Sequence, residues 1–187
     1  MITVVSGLPR SGTSLMMQML RAGGMHLLVD DQRPADEGNP NGYFEDARVK
    51  RLERDASWIR EAEGKVVKVV SLLLQALPRE HRYQVVFMER DLEEILASQR
   101  KLLRRLGGEG DEDDARLRRS FGQHLERVRA WLAGADHVTT IYCDYSRLVR
   151  EPERAVADLT SRLEVDLDST RMIAVVDPAL YRQRRGR

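Results

Sequence analysis

Eight residues near the start of the chain carry its clearest chemistry: Gly7-Leu8-Pro9-Arg10-Ser11-Gly12-Thr13-Ser14. A Gly-x-x-x-x-Gly spacing lets backbone N–H groups converge on one oxyanion, at the positive end of the helix that follows. The residue after the second glycine decides which anion. Loops that serve ATP or GTP place lysine there to reach the terminal phosphates, then Ser or Thr to hold magnesium. Here Thr13 takes that position, and the cation, Arg10, lies inside the loop. Such a loop suits a 5′-phosphate group and can polarise the bridging oxygen beyond it. It is a poor scaffold for metal-assisted transfer of a terminal phosphate. An ordinary glycine-containing turn is the bland alternative, and the order strand, loop, helix speaks against it.

A second anion-binding pair lies downstream. The apolar run VVFME leads into Arg90, and DLEEILAS then brings Ser98. With a helix beginning at Asp91, Ser98 falls about two turns on and returns to the face of the helix start. Arg90 and Ser98 are therefore placed to grip one small anion. The competing readings are a surface salt bridge between Arg90 and Glu94, and a serine on a solvated helix face. Lys68 stands in the otherwise apolar run KVVKVV. Burying an ammonium without a partner is costly, which favours a role at a site.

GLPRSGTSLMMQML resembles the 5′-phosphosulfate-binding loop of the sulfotransferases. Its Pro-Arg-Ser-Gly-Thr core is closest to the tyrosylprotein branch; the small-molecule branch usually has Lys where Arg10 stands. The resemblance covers residues 1–22, 65–102 and, more weakly, 138–165. It implies a P-loop NTPase-like fold and 3′-phosphoadenosine 5′-phosphosulfate (PAPS) as sulfuryl donor, with 3′-phosphoadenosine 5′-phosphate (PAP) as product. No metal is expected, because the protein supplies the cations. The resemblance assigns Pro9, Arg10, Ser11, Gly12, Thr13 and Ser14 to the 5′-phosphosulfate, and Arg90 with Ser98 to the 3′-phosphate. TIYCDYSRLVREPERAVADLTSRL resembles the family's late strand and helix, but Cys143 stands where Glu is common. The basic tail is similar to a segment that closes over the 3′-phosphate in some members. That makes Arg182, Arg184 and Arg185 candidates, with a merely solvated tail as the alternative.

Sulfuryl transfer also needs a base for the attacking hydroxyl or amine, and cations around the leaving phosphate oxygen. In the small-molecule branch the base is a histidine in the strand that here reads KVVKVVS. Val70 stands at that position, and none of His26, His81, His124 and His137 lies in that strand. The tyrosylprotein and heparan branches use a glutamate after the first helix. By that spacing Asp31 is the first choice and Glu45 the second, with Asp30 and Glu37 in the same loop. Solvated loop carboxylates are the alternative. Arg10 and Lys68 are the expected catalytic cations, Lys68 at the leaving oxygen. Tyr43, Phe44 and Trp58 are candidates for an acceptor pocket, and core packing accounts for them equally well.

The elements that must position these groups follow from periodicity and punctuation. Strands are expected at Ile2–Ser6, His26–Val29, Lys65–Val70, Gln84–Glu89 and Val138–Cys143. Helices are expected after the Gly7–Ser14 loop, running through Leu15 and Leu20 to a stop at Gly23-Gly24, then over 47–63, from Asp91 to about Leu106, over 116–133 and from Pro152 to about Leu163. Ser71–Leu77 reads as a short apolar helix or turn closed by Pro78, Gly107–Asp114 as a flexible acidic linker, and Pro178 as the start of a last short helix. Strands separated by helices, with no hairpin signals, predict a three-layer α/β/α domain whose parallel sheet has about four to five strands. Ligands in such folds bind beyond the carboxyl ends of the strands.

Composition bounds the rest. The 187 residues suit one domain, and 31 Lys+Arg against 30 Asp+Glu give a net charge of +1, which argues against nucleic acid or an anionic membrane as partner. The one cysteine, Cys143, makes no internal disulfide, and no apolar run is long enough to span a bilayer. A soluble, cytoplasmic protein is expected. Lys50, Lys65, Lys68 and Lys101 are the lysines, and every other basic residue is arginine. The function expected is sulfuryl transfer from PAPS to a hydroxyl or amine by in-line displacement. A non-catalytic nucleotide-binding domain of the same fold and a P-loop small-molecule kinase are the alternatives.

Overall fold

The computed structural model describes residues 1–187 except 31, 33, 34, 37, 38, 40, 41, 106–113 and 182–187. Short runs of β-branched residues form its strands: β1 (Ile2–Gly7), β2 (Leu27–Leu28), β3 (Val66–Lys68), β4 (Tyr83–Glu89) and β5 (Val138–Asp144). They make one sheet in the order β2-β3-β1-β4-β5, and every pairing is parallel. All of β1, and all of β4 but Glu89, is buried, as strands covered on both faces must be. Alternation then divides the side chains between two cores. Ile2, Val4, Val85 and Phe87 enter one, while Val5, Val86 and Met88 enter the other.

The second of these cores is closed by α1 (Thr13–Ala22), α4 (Tyr145–Arg150), α5 (Pro152–Arg162) and α6 (Ser169–Ala174). The first is closed by α3 (Asp114–Gly134) and by 3-10 turns at Ala47–Arg51, Ser57–Ala62 and Ser71–Ala76. With α2 (Leu92–Arg105) packed on α3, the result is the expected three-layer α/β/α arrangement. No helix among the described residues is long and apolar enough to cross a membrane.

The structure departs from the sequence pattern in three places. The single helix expected over 47–63 is two 3-10 segments. Asp55 breaks it, because its carboxylate accepts from the Ser57 amide at 3.0 Å and the Ser57 hydroxyl at 2.7 Å. The second and third strands are shorter than expected, with ladder register only over Leu27–Leu28 and Val66–Lys68. The short helices α4 and α6 were not expected; each starts on an aspartate cap, Asp144 accepting from the Arg147 amide and Asp168 from the Arg171 amide. Most of the expected linker, 107–113, lies outside the described residues, and Asp114 begins α3.

Register decides where a site can form. Gly7 pairs with Met88, Val5 with Lys68, and Glu89 with Asp144. The loops after β1, β3, β4 and β5 therefore leave one edge of the sheet together, the edge where parallel α/β sheets hold ligands.

His124 joins α3 to that scaffold. Its buried ring places Nε2 2.9 Å from Ser71 Oγ. Burial first, and the Arg127 charge second, hold its pKa below the ordinary 6.5. The unfolded chain therefore takes up this proton before the folded one does. Stability contributed by neutral His124 is complete above the unfolded value and is lost as pH falls below it. The slope is at most about 1.4 kcal/mol per pH unit until the folded-state pKa is passed. Urea midpoints across this range should fall on the acid side, and His124→Gln should flatten that limb.

Candidate active site

The loop between β1 and α1 is built around two residues in the left-handed region, Arg10 at φ 72° and Gly12 at φ 102°. For a residue with a side chain that conformation costs about 1–2 kcal/mol. Two contacts hold Arg10 there: Arg90 Nη1 donates to its carbonyl at 3.1 Å, and its own Nε donates to Ser98 Oγ at 2.9 Å. At Gly12 the reason is also space, because a Cβ would lie 2.8 Å from Cε2 of Tyr145. Gly12 caps α1 without any side-chain hydrogen bond to the first-turn amides. Those amides, at Thr13 and Ser14, belong to residues that line a cavity. Ser14 Oγ accepts from Asn39 Nδ2 at 2.9 Å and from Lys68 Nζ at 3.3 Å, which leaves its own proton to be donated. The cradle is thus made of donors, as an anion requires.

Ser11 sits differently from its neighbours. Its amide closes the turn onto the Leu8 carbonyl at 3.1 Å, and its hydroxyl is buried beside Gly7 with no hydrogen-bond partner. It shapes the loop from beneath and does not line the cavity.

Lys68 ends β3 and is buried, yet its ammonium is well partnered. It donates to the Tyr43 carbonyl at 2.7 Å and lies 3.3 Å from Glu45 Oε1, besides its bond to Ser14. These partners offset the cost of burying the charge. Phe44, between them in sequence, has φ 52° and turns the Tyr43 carbonyl and the Glu45 carboxylate toward the same ammonium. Asp46 is chelated by Arg48, with Nε at 3.0 Å and Nη2 at 2.8 Å. Burial alone would raise the Asp46 carboxyl, but Arg48 outweighs it and holds the group below the usual carboxylate range. Asp30 is committed to the Ala47 amide at 2.6 Å. Asp31 and Glu37 lie outside the described residues. Glu45 is thus the described candidate base on the cavity wall beside Lys68.

Arg90 is the hub of a third cluster. Its Nε donates to Glu94 at 2.9 Å, with side chains only 8% and 6% exposed. The Tyr181 hydroxyl donates to the other Glu94 oxygen at 2.7 Å. The guanidinium lies 4.5 Å from the Tyr145 ring centre and 5.4 Å from that of Tyr181, and the two rings meet edge-to-face at 5.2 Å. Burial pushes both phenols up, so they stay neutral donors. The Arg90–Glu94 salt bridge allowed by the sequence does form, but it is buried, not on the surface. Ser98 is buried too, against Arg10. Arg182, Arg184 and Arg185 lie outside the described residues.

One cavity of about 550 Å³ collects Pro9, Arg10, Gly12, Thr13, Ser14, Glu45, Lys68, Arg90 and Ser98. That volume suits a small molecule, whose sites run to about 300–1,000 Å³. Tyr43 also lines it. Phe44 instead packs under Arg21, and Trp58 is buried in the opposite core with its Nε1 bonded to the Asp55 carbonyl. Cys143 faces the core, and burial pushes its thiol up to about 12, so it stays protonated. Glu94, Tyr145 and Tyr181 were not anticipated as part of the site; only Glu94, four residues after Arg90, carried a signal.

A solved structure shares the topology. The sulfotransferase domain from the curacin biosynthetic pathway superposes on 94% of this chain and 77% of its own, with a TM-score of 0.52 at 15% identity. The chain has a sulfotransferase fold. Mouse sulfotransferase SULT7A1, solved with PAP, aligns over 94% of this chain at 14% identity with a TM-score of 0.46, and this chain covers only 62% of it. No family model and no curated protein matches the sequence. At such identities the likeness concerns the sulfotransferase fold alone, so the chemistry has to be argued from the cavity.

Gly12→Ala should lower stability by about 1–3 kcal/mol, since it combines backbone strain with a ring that must move. A urea titration reads this, and Tyr145→Ala in the same chain should recover part of the loss by opening space.

Proposed function

We propose that this chain transfers a sulfuryl group from PAPS to a hydroxyl or amine. The observation that carries the proposal is the meeting of Lys68 with Ser14 and Glu45 at the mouth of a loop that has no terminal lysine of its own. A cation brought from a neighbouring strand to the end of the cradle suits a leaving oxygen one atom beyond a 5′-phosphate. The carboxylate beside it suits the incoming nucleophile.

The residues fit such a donor. The first-turn amides of α1, the Ser14 hydroxyl and Arg10 present donors to the 5′-phosphosulfate. Arg90 and Ser98, both on the cavity wall, take the 3′-phosphate, and Arg10 bridges the two phosphate positions through its bond to Ser98. When bound, PAPS supplies an activated S–O bond to its 5′-phosphate. Glu45 accepts the proton of the attacking hydroxyl as the new O–S bond forms. Lys68 gives up its contact with Glu45 and donates to the bridging oxygen, which departs with its electron pair as part of PAP. Tyr43, Phe44 and Ser14 keep the ammonium and carboxylate from drifting apart before the donor arrives.

By calorimetry, PAP should bind at least about tenfold tighter than AMP, because Arg90 and Ser98 recognise only the former. Equal affinities would remove the 3′-phosphate assignment, and magnesium-dependent ATP turnover would favour a kinase. Glu45→Gln should lower kcat by about 10²–10⁴ while PAP affinity stays within about twofold. An unchanged kcat would move the base to Asp31. Donor binding with no transfer to any acceptor would make the chain a binding domain.

A further inference from the structure

The cavity has a second half that the donor chemistry does not use. Beyond Lys68 the chain supplies Val70 and Leu73 to its wall, the turn at Ala47–Arg51 supplies Val49, and α2 supplies Leu102, one turn past Ser98. This wall is branched aliphatic and adjoins the leaving-group lysine. Lys50, after Val49 in the chain, and Lys101, before Leu102, line the same cavity. Both are exposed. Neither has an ion pair or hydrogen bond to a carboxylate among the described residues.

That pattern is unusual for this chain in two respects. Its surface arginines are commonly paired, as with Arg79–Asp136, Arg118–Glu93 and Arg129–Glu89. Its basic residues are arginine almost throughout, yet of the four lysines three, Lys50, Lys68 and Lys101, line this one cavity. Lysine presents a compact point charge on a flexible stem, suited to an anionic group whose position varies with the length of the molecule carrying it. Of the carboxylates on the cavity wall, Asp46 is held by Arg48, Glu45 lies against Lys68, and Asp177 caps the turn at Pro178–Leu180 through the Ala179 amide.

We propose that the acceptor is an anionic amphiphile: a hydroxyl on an apolar body that ends in a carboxylate lying between Lys50 and Lys101. The inference rests on the proposed sulfuryl transfer. It identifies what the apolar half receives while Glu45 and Lys68 act on the hydroxyl end.

The test needs no turnover. In the dead-end complex with PAP, calorimetry compares ω-hydroxydodecanoate with its neutral methyl ester. The acid should bind at least about fivefold tighter, as expected of two partly exposed ion pairs. That ratio should approach one at high salt and in the Lys50→Gln/Lys101→Gln variant. It should persist in Lys65→Gln, which removes the lysine outside the cavity. An ester that binds as well as the acid, a ratio that survives the double substitution, or no binding of either probe would overturn the proposal. Failure of PAP itself to bind would instead strike at the sulfuryl-transfer reading, and the acid-to-ester ratio can then still be read on the protein alone.

Discussion

A residue with a side chain, held at a positive φ in the middle of a loop, must be kept there by something outside the loop. Arg10 is that residue, and Arg90 is what holds it, through a hydrogen bond to its carbonyl. Arg90 in turn is fixed by Glu94 and packs against the rings of Tyr145 and Tyr181. Tyr145 completes the circle by covering Gly12, whose missing side chain gives the ring its place. The end of β4, the start of α2, α4 and the residues before the C-terminal tail thus all converge on one strained turn. A local conformational cost is met by long-range contacts, a common arrangement where a loop must present its amides to a ligand.

The other side of the cavity repeats the device. Phe44, also at positive φ, orients two acceptors onto Lys68, and Lys68 reaches Ser14 in the first loop. The described non-glycine residues with positive φ therefore flank the same cavity, one on the donor side and one beside the candidate base. Strain of this kind gives the chemistry a reason to be where it is. Lys68 is stable when buried because its partners are set in advance, and those partners are the groups that a bound anion and an acceptor hydroxyl would replace.

Much of this was legible in the sequence, for reasons that differ from residue to residue. The loop from Gly7 to Ser14 could be read because glycine spacing and a following apolar helix are local signals. Arg90 and Ser98 could be placed because two helical turns return a residue to the same side. Lys68 stood out as a charge in an apolar strand. The partners of Arg90 could not be read, because Tyr181 lies 87 residues from Glu94 and only the tertiary fold joins them. Asp55 broke an expected helix through a side-chain bond that competes with the helical backbone, which hydrophobic periodicity does not register. Choosing between carboxylates was a question of which were already committed, and that depends on Arg48 and Lys68 as neighbours in space.

The account depends on one cavity holding both ends of a 3′,5′-bisphosphate, and a crystal structure of this protein soaked with PAP tests that most directly. The 5′-phosphate should lie within hydrogen-bond reach of the Thr13 amide and Ser14 Oγ, and the 3′-phosphate should contact Ser98 and Arg90, leaving Glu45 on the open side. A 5′-phosphate outside the Gly7–Ser14 loop, or a 3′-phosphate pointing to solvent with no contact to Ser98 or Arg90, would contradict it.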